Sequence, residues 1–217
     1  MSYLAELFNR FFFSTDKKFL NRLDILLAHL QEMSQLLLSL SGTNSKTERR
    51  ALTVRVQELE KKVHSLSLNI ISGLDHNFLT DISREDIVAI AKTSERIAER
   101  IMEACNTIDF LFEDFKGTEP MIALCSSIHE SICSICICFK HLQKPVSRHM
   151  IKSSTDKISF YNKSGEKLYR NIKADVLRER GDDVWQIKIN EWLDQLNEIT
   201  EQCIEINYIF DQILVKK

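Results

Sequence analysis

Five glycines and two prolines are the only chain-breaking residues in a chain of 217, where an average protein carries roughly 12% of the two combined. Sandwiches, barrels and nucleotide-binding α/β folds need far more turn punctuation than this. What replaces it is a repeated spacing: apolar residues recur in alternating steps of three and four, the seam of an amphipathic helix. The first run is Phe19, Leu23, Leu26, Leu30, Met33, Leu37 and Leu40, ended by Ser41-Gly42-Thr43-Asn44-Ser45. The second is Leu52, Val56, Leu59, Val63, Leu66 and Ile70, stopping near Gly73 to Asn77.

Ser83 is placed to cap the third helix, with Asp86 completing a capping-box-like first turn and Glu85 complementing the helix dipole. Its stripe runs Ile87, Ile90, Ser94, Ile97, Ile101, Ala104, Ile108, Leu111 and Phe115 before Gly117 and Pro120 break the chain. The fourth stripe is Cys125, Ile128, Ile132, Ile135, Phe139 and Leu142, ended by Pro145. The fifth is Ile158, Tyr161, Gly165, Leu168 and Ile172, stopping near Gly181. The sixth is Ile189, Trp192, Leu196, Ile199, Cys203, Ile206, Phe210 and Ile213. The prediction is an all-α protein of six long antiparallel helices in two tandem three-helix bundles, 1–116 and 117–217, forming one compact repeated domain.

Charge narrows the partners little. Lys and Arg total 29 against 31 Asp and Glu, so neither a nucleic-acid footprint nor an acidic tail stands out. The apolar stretches are read as too short for the roughly 18 residues of a membrane span, and Glu6 and Arg10 interrupt the N-terminus against a signal peptide. Six cysteines are then reduced thiols in a cytosolic protein. Cys133, Cys136 and Cys138 have metal-like spacing but no second ligand pair, and they lie among isoleucines where cysteine behaves as a core residue. Leu4, Leu7, Phe8, Phe11 and Phe12 form an apolar face on a short N-terminal helix, expected to pack on the bundle end. Trp192 and Tyr161 are expected in the core. No Gly-rich loop is present to hold a nucleotide, and no nucleophile–base constellation stands out.

An offset of 102 residues superimposes the second half on the first, with Val63 on Gly165, Leu66 on Leu168, Ile97 on Ile199 and Ile101 on Cys203. The same offset carries Glu60/His64 onto Asn162/Glu166 and Glu95/Glu99 onto Asn197/Glu201. Each pair is spaced i, i+4 on one helix face. Glu60 and Glu95 each follow a seam residue, where carboxylates of neighbouring helices can converge on a hard or borderline cation. Arg96 and Arg100 offer a plainer neutralisation through surface salt bridges.

Several segments resemble the PhoU-like family of phosphate transport regulators, also called Pit accessory proteins. Residues Phe78 to Ile87 are similar to its F-x-T-P-x-D-R-E-D-I signature, with Asp81 for proline, Ser83 for aspartate, and Arg84, Glu85 and Asp86 retained. Phe11-Phe12-Phe13 resembles its N-terminal start and Leu168-Tyr169-Arg170 its D-x-L-Y-R stretch. Thr200-Glu201-Gln202-Cys203 and Ile213-Leu214-Val215-Lys216 resemble T-D-R-C and I-V-V-K. The resemblance implies two three-helix bundles whose E-x-x-x-D pairs bind metal, in some members as iron or zinc clusters. Here those positions hold Glu60, His64, Glu95 and Glu99, and then Asn162, Glu166, Asn197 and Glu201. Eight carboxylates have become five plus an imidazole, and the second set is the poorer.

The resemblance implies a cytoplasmic, non-enzymatic accessory protein of inorganic phosphate transport, peripheral at the inner face of the membrane. Its partner would be a membrane phosphate permease, with no nucleic acid or nucleotide and with homo-oligomers allowed. A divalent or ferric ion such as iron or zinc would be its cofactor. Two alternatives stay open: a carboxylate-bridged redox bundle, or a structural helical module that has lost the metal site.

Overall fold

The computed structural model describes residues 3–74, 82–111, 115, 117–143, 148–178 and 183–216, with side chains from residue 19 onward and excepting 111. Six helices follow one another: α1 Tyr3–Gly42, α2 Lys46–Gly73, α3 Arg84–Leu111, α4 Glu119–Leu142, α5 Arg148–Arg178 and α6 Asp183–Lys216. The described residues contain no strand. The all-α expectation is the fold found. α2 and α5 begin 102 positions apart, at Lys46 and Arg148, the offset that aligned the stripes.

Local chemistry sets the helix starts. Ser45 caps α2 by accepting the Glu48 N–H at 3.3 Å, and the S-x-x-E spacing there is a capping-box signal beyond the one read at α3. Ser83 accepts the Asp86 N–H at 3.2 Å, as expected for α3. Pro120 stands in the first turn of α4, where its missing N–H has no helical partner to lose. It starts a helix as much as it breaks one. The backbone of α1 is helical without interruption from Tyr3, so no separate N-terminal helix exists; the side chains of Leu4, Leu7, Phe8 and Phe11–Phe13 lie outside the described residues. Pro145 and Gly181, expected to end α4 and α5, also lie outside them.

The helices pack as two triplets, α1 with α2 and α3, and α4 with α5 and α6. The triplets meet through α1 against α4 and α3 against α6, so four helices close a ring with α2 and α5 outside it. Polar contacts record the antiparallel registers. Between α1 and α4, Gln143 donates to Asp24 at 2.9 Å and the Cys136 thiol to the Leu27 carbonyl at 3.4 Å. Ser34 donates to the Gln31 carbonyl, so its oxygen accepts from His129 Nδ1 at 2.9 Å, leaving Nε2 to face the Cys133 thiol at 3.5 Å. Between α3 and α6, Arg96 reaches Glu205, Arg100 reaches Glu198, and Thr107 donates to Gln195.

The buried apolar side chains form a single cluster that includes the first, third, fourth and sixth stripes as read, wherever their side chains are described and apart from the buried Ser94. Trp192 is fully buried, edge-on to Phe115 at 5.5 Å. Tyr161, expected in the core, is only half-buried. The buried row of α5 passes instead through Ile158, Asn162, Gly165, Ile172 and Val176. Cys105, Cys125, Cys136, Cys138 and Cys203 are buried, and burial pushes the thiols of Cys125, Cys136, Cys138 and Cys203 up to about 12. They are core residues. The membrane-span reading needs correction: α4, 24 residues long, is long and apolar enough to cross a membrane. Serines and cysteines interrupt its apolar residues, and just over half of its most apolar stretch is buried inside the bundle.

Candidate functional site

The first predicted cluster lies on the flank where α2 meets α3. Glu60 follows the buried Leu59 and Glu95 follows the buried Ser94, so the helical period leaves both at the edge of the seam. His64 Nδ1 lies 2.5 Å from Glu95 Oε1. An ionised carboxylate only accepts, so Nδ1 carries the proton. The Glu95 side chain is 17% exposed and His64 52%, which leaves the imidazole edge accessible. Burial raises the Glu60 carboxyl above its ordinary range; His64 pulls it down, and the carboxylates of Glu99 and Glu95 push it up again. All four predicted residues therefore share one electrostatic neighbourhood. As positioned, however, no three His, Cys, Asp or Glu side chains among the described residues form a group that would hold a metal ion.

The second predicted set is arranged differently. Asn162 is 3% exposed and accepts from Ser131 Oγ at 2.9 Å, while its Nδ2 makes no hydrogen bond. Its bond runs to α4. Asn197 donates to Glu201 on its own helix at 2.7 Å, and Glu166 is half-buried. Asn162 thus belongs to the core, unlike Glu60, the position it matches in the first half. Two neutral amides engaged with other partners do not fit a cation site.

The signature residues perform a structural task. Asp86 is buried at the start of α3 and accepts from Lys216 Nζ at 2.9 and 3.1 Å, joining α3 to the last turn of α6. Arg84 is half-buried and Glu85 exposed. Phe78 to Asp81 lie outside the described residues.

Other clusters escaped the sequence reading. Arg50 bonds the buried Asp109 at 2.6 Å and lies over the Phe110 ring at 5.0 Å. With Val54 they line an open groove of about 870 Å³ at the α2 start. The signal was the exposed Phe110 two residues beyond the buried Ile108, but spacing alone does not say what stands opposite. On the other outer helix, Lys173 pairs with Asp194 and donates to Tyr169.

No family model matches the chain, and no curated protein sequence matches it significantly. Solved structures do. A PhoU-like phosphate regulatory protein from Shewanella oneidensis MR-1 superimposes with a TM-score of 0.76 at 10% identity, covering 92% of this chain and all of that one. A second PhoU-like protein from the same organism gives 0.77 at 11% identity, covering 91% of this chain and all of that one. At such identity the likeness is one of fold, and it spans the whole six-helix arrangement.

Proposed function

We propose that this chain is a regulatory accessory protein of inorganic phosphate transport that works by contact with a membrane phosphate permease at its cytoplasmic face. The observation that carries the reading is near-complete coverage in both directions by a PhoU-like phosphate regulatory protein. The signature residues support it, because Asp86 and Lys216, matched in two separate family segments, meet in one ion pair. A binding role rather than catalysis is in keeping with thiols that burial holds protonated. The test is phosphate uptake in a deletion strain together with co-purification of the permease with the tagged chain. Altered uptake and recovered permease are expected; unchanged uptake with no permease recovered would sink the reading.

A narrower proposal concerns a cation. Glu60, His64, Glu95 and Glu99 would take zinc or iron on the α2–α3 flank once the exposed imidazole and Glu99 turned toward Glu60; carboxylates with imidazole are a suitable donor set. The mutual repulsion felt by Glu60 favours it, and the His64–Glu95 bond opposes it by occupying both groups. Zinc titration by calorimetry, with Glu95→Ala as control, decides: heat lost in the variant supports the site, and no heat in the parent chain removes it.

A further inference from the structure

α5 is an outer helix, packed only on α4 and α6. It carries eight Lys and Arg against three Asp and Glu, whereas α6 carries two against seven. The near-neutral whole chain conceals this separation. Some of the α5 cations are committed: Lys152 to Asp156 and Asp211, Lys173 to Asp194, Arg178 to Asp175, and Arg148 to the Leu214 carbonyl. Lys157, Lys163, Lys167 and Arg170 are exposed and make no ion pair or hydrogen bond among the described residues. At 100° per residue Lys163, Lys167 and Arg170 fall on the side away from the buried Ile158, Asn162 and Gly165, with Phe160, 66% exposed, beside them and Lys157 at the flank. The row is about 20 Å long.

We propose that this outward face of α5 docks on anionic lipid headgroups. Uncompensated cations along one side of a helix complement a layer of negative charge, and each Lys or Arg near such a surface strengthens binding about fivefold. Phe160 supplies an apolar side chain to enter the headgroup boundary. The shape favours lipid over an acidic polypeptide. The open groove on this helix is lined by His149, Lys152, Asp156, Lys157, Phe160 and Tyr161, so it lies at the N-terminal end of the row. Lys163, Lys167 and Arg170 stand outward beyond it, reachable by a plane along their whole length.

The test is cosedimentation of the full chain with phosphatidylcholine vesicles, with and without phosphatidylglycerol. Binding is expected only to the mixed vesicles, and it should be lost as salt rises from about 0.1 M to about 0.5 M. Lys163→Gln with Lys167→Gln should weaken it about 25-fold, with circular dichroism unchanged because both positions are exposed. Absence of binding to mixed vesicles would overturn the proposal, as would binding that the double variant leaves intact. Retention on polyglutamate by a chain that ignores the vesicles would overturn it too, in favour of an acidic protein. None of these results bears on phosphate uptake, so this docking surface and the permease reading fail separately.

Discussion

A single methyl group has opposite consequences at two glycines. A Cβ at Gly117 would lie 2.1 Å from the Ser41 carbonyl oxygen, an overlap that only backbone movement relieves. Gly117→Ala is expected to lower stability by about 1–3 kcal/mol in urea denaturation. A Cβ at Gly165, in the middle of α5, would meet Thr200 and Leu124 at 3.5–3.7 Å, ordinary contact distances. Gly165→Ala should then stabilise by about 0.5–1 kcal/mol, the helix-propensity difference; a loss at that position would mean the α5–α6 approach is tighter than those distances. Charge at Glu60 is a third case. A carboxyl raised in the folded state binds more protons there than in the unfolded chain, so its ionisation opposes folding above the raised value, and that penalty disappears below the unfolded one. Glu60→Gln should raise the melting temperature slightly at about pH 7 and leave it unchanged at about pH 3; equal effects at both would show that the glutamine acts through packing.

At the scale of the helix, the apolar period located elements well and failed where the core is polar. On α5 the buried row includes Ser154, Thr155, Asn162 and Gly165. A stripe traced through apolar residues therefore slid one position and picked up Tyr161. The 102-residue offset carries Glu60 onto Asn162 as a metal position, although Asn162 is buried against Ser131. Glu60, His64, Glu95 and Glu99 were legible as a group because each follows or faces a regular apolar seam on α2 and α3. What spacing did not carry was the rotamer, and so the His64–Glu95 bond was not foreseen. The α3 start was read correctly from Ser83, but the role of Asp86 was not, since its partner stands 130 residues away. That pairing predicts that Asp86→Ala lowers stability by about 1–2 kcal/mol, through loss of charge-assisted bonds at a helix N-terminus. Lys216→Met should cost less, because Lys216 is largely exposed and the Asp86 carboxylate keeps its place at the α3 N-terminus.

At the scale of the molecule, the repeat offset said that two similar halves exist but not which faces they share. Seam residues look alike whether they meet a helix of their own triplet or of the other. The ring of α1, α4, α6 and α3 shows that each triplet completes its core with the other, through Leu27 beside Cys136 and Thr107 beside Gln195. Two triplets sharing one buried cluster should unfold together. The chain supplies its own reporter, since both tryptophans, Trp185 and Trp192, are in α6, while far-UV circular dichroism follows all six helices. Urea unfolding by the two signals should give one midpoint. Leu59→Ala sharpens the test: it removes a buried side chain from α2, which packs only on α1 and α3 among the described helices, at a cost of about 2–5 kcal/mol. If the ring couples the halves, tryptophan fluorescence from the second triplet must shift to lower urea by the same amount as the dichroism. A dichroism transition that moves while the fluorescence midpoint stays fixed would mean that the triplets unfold as independent units.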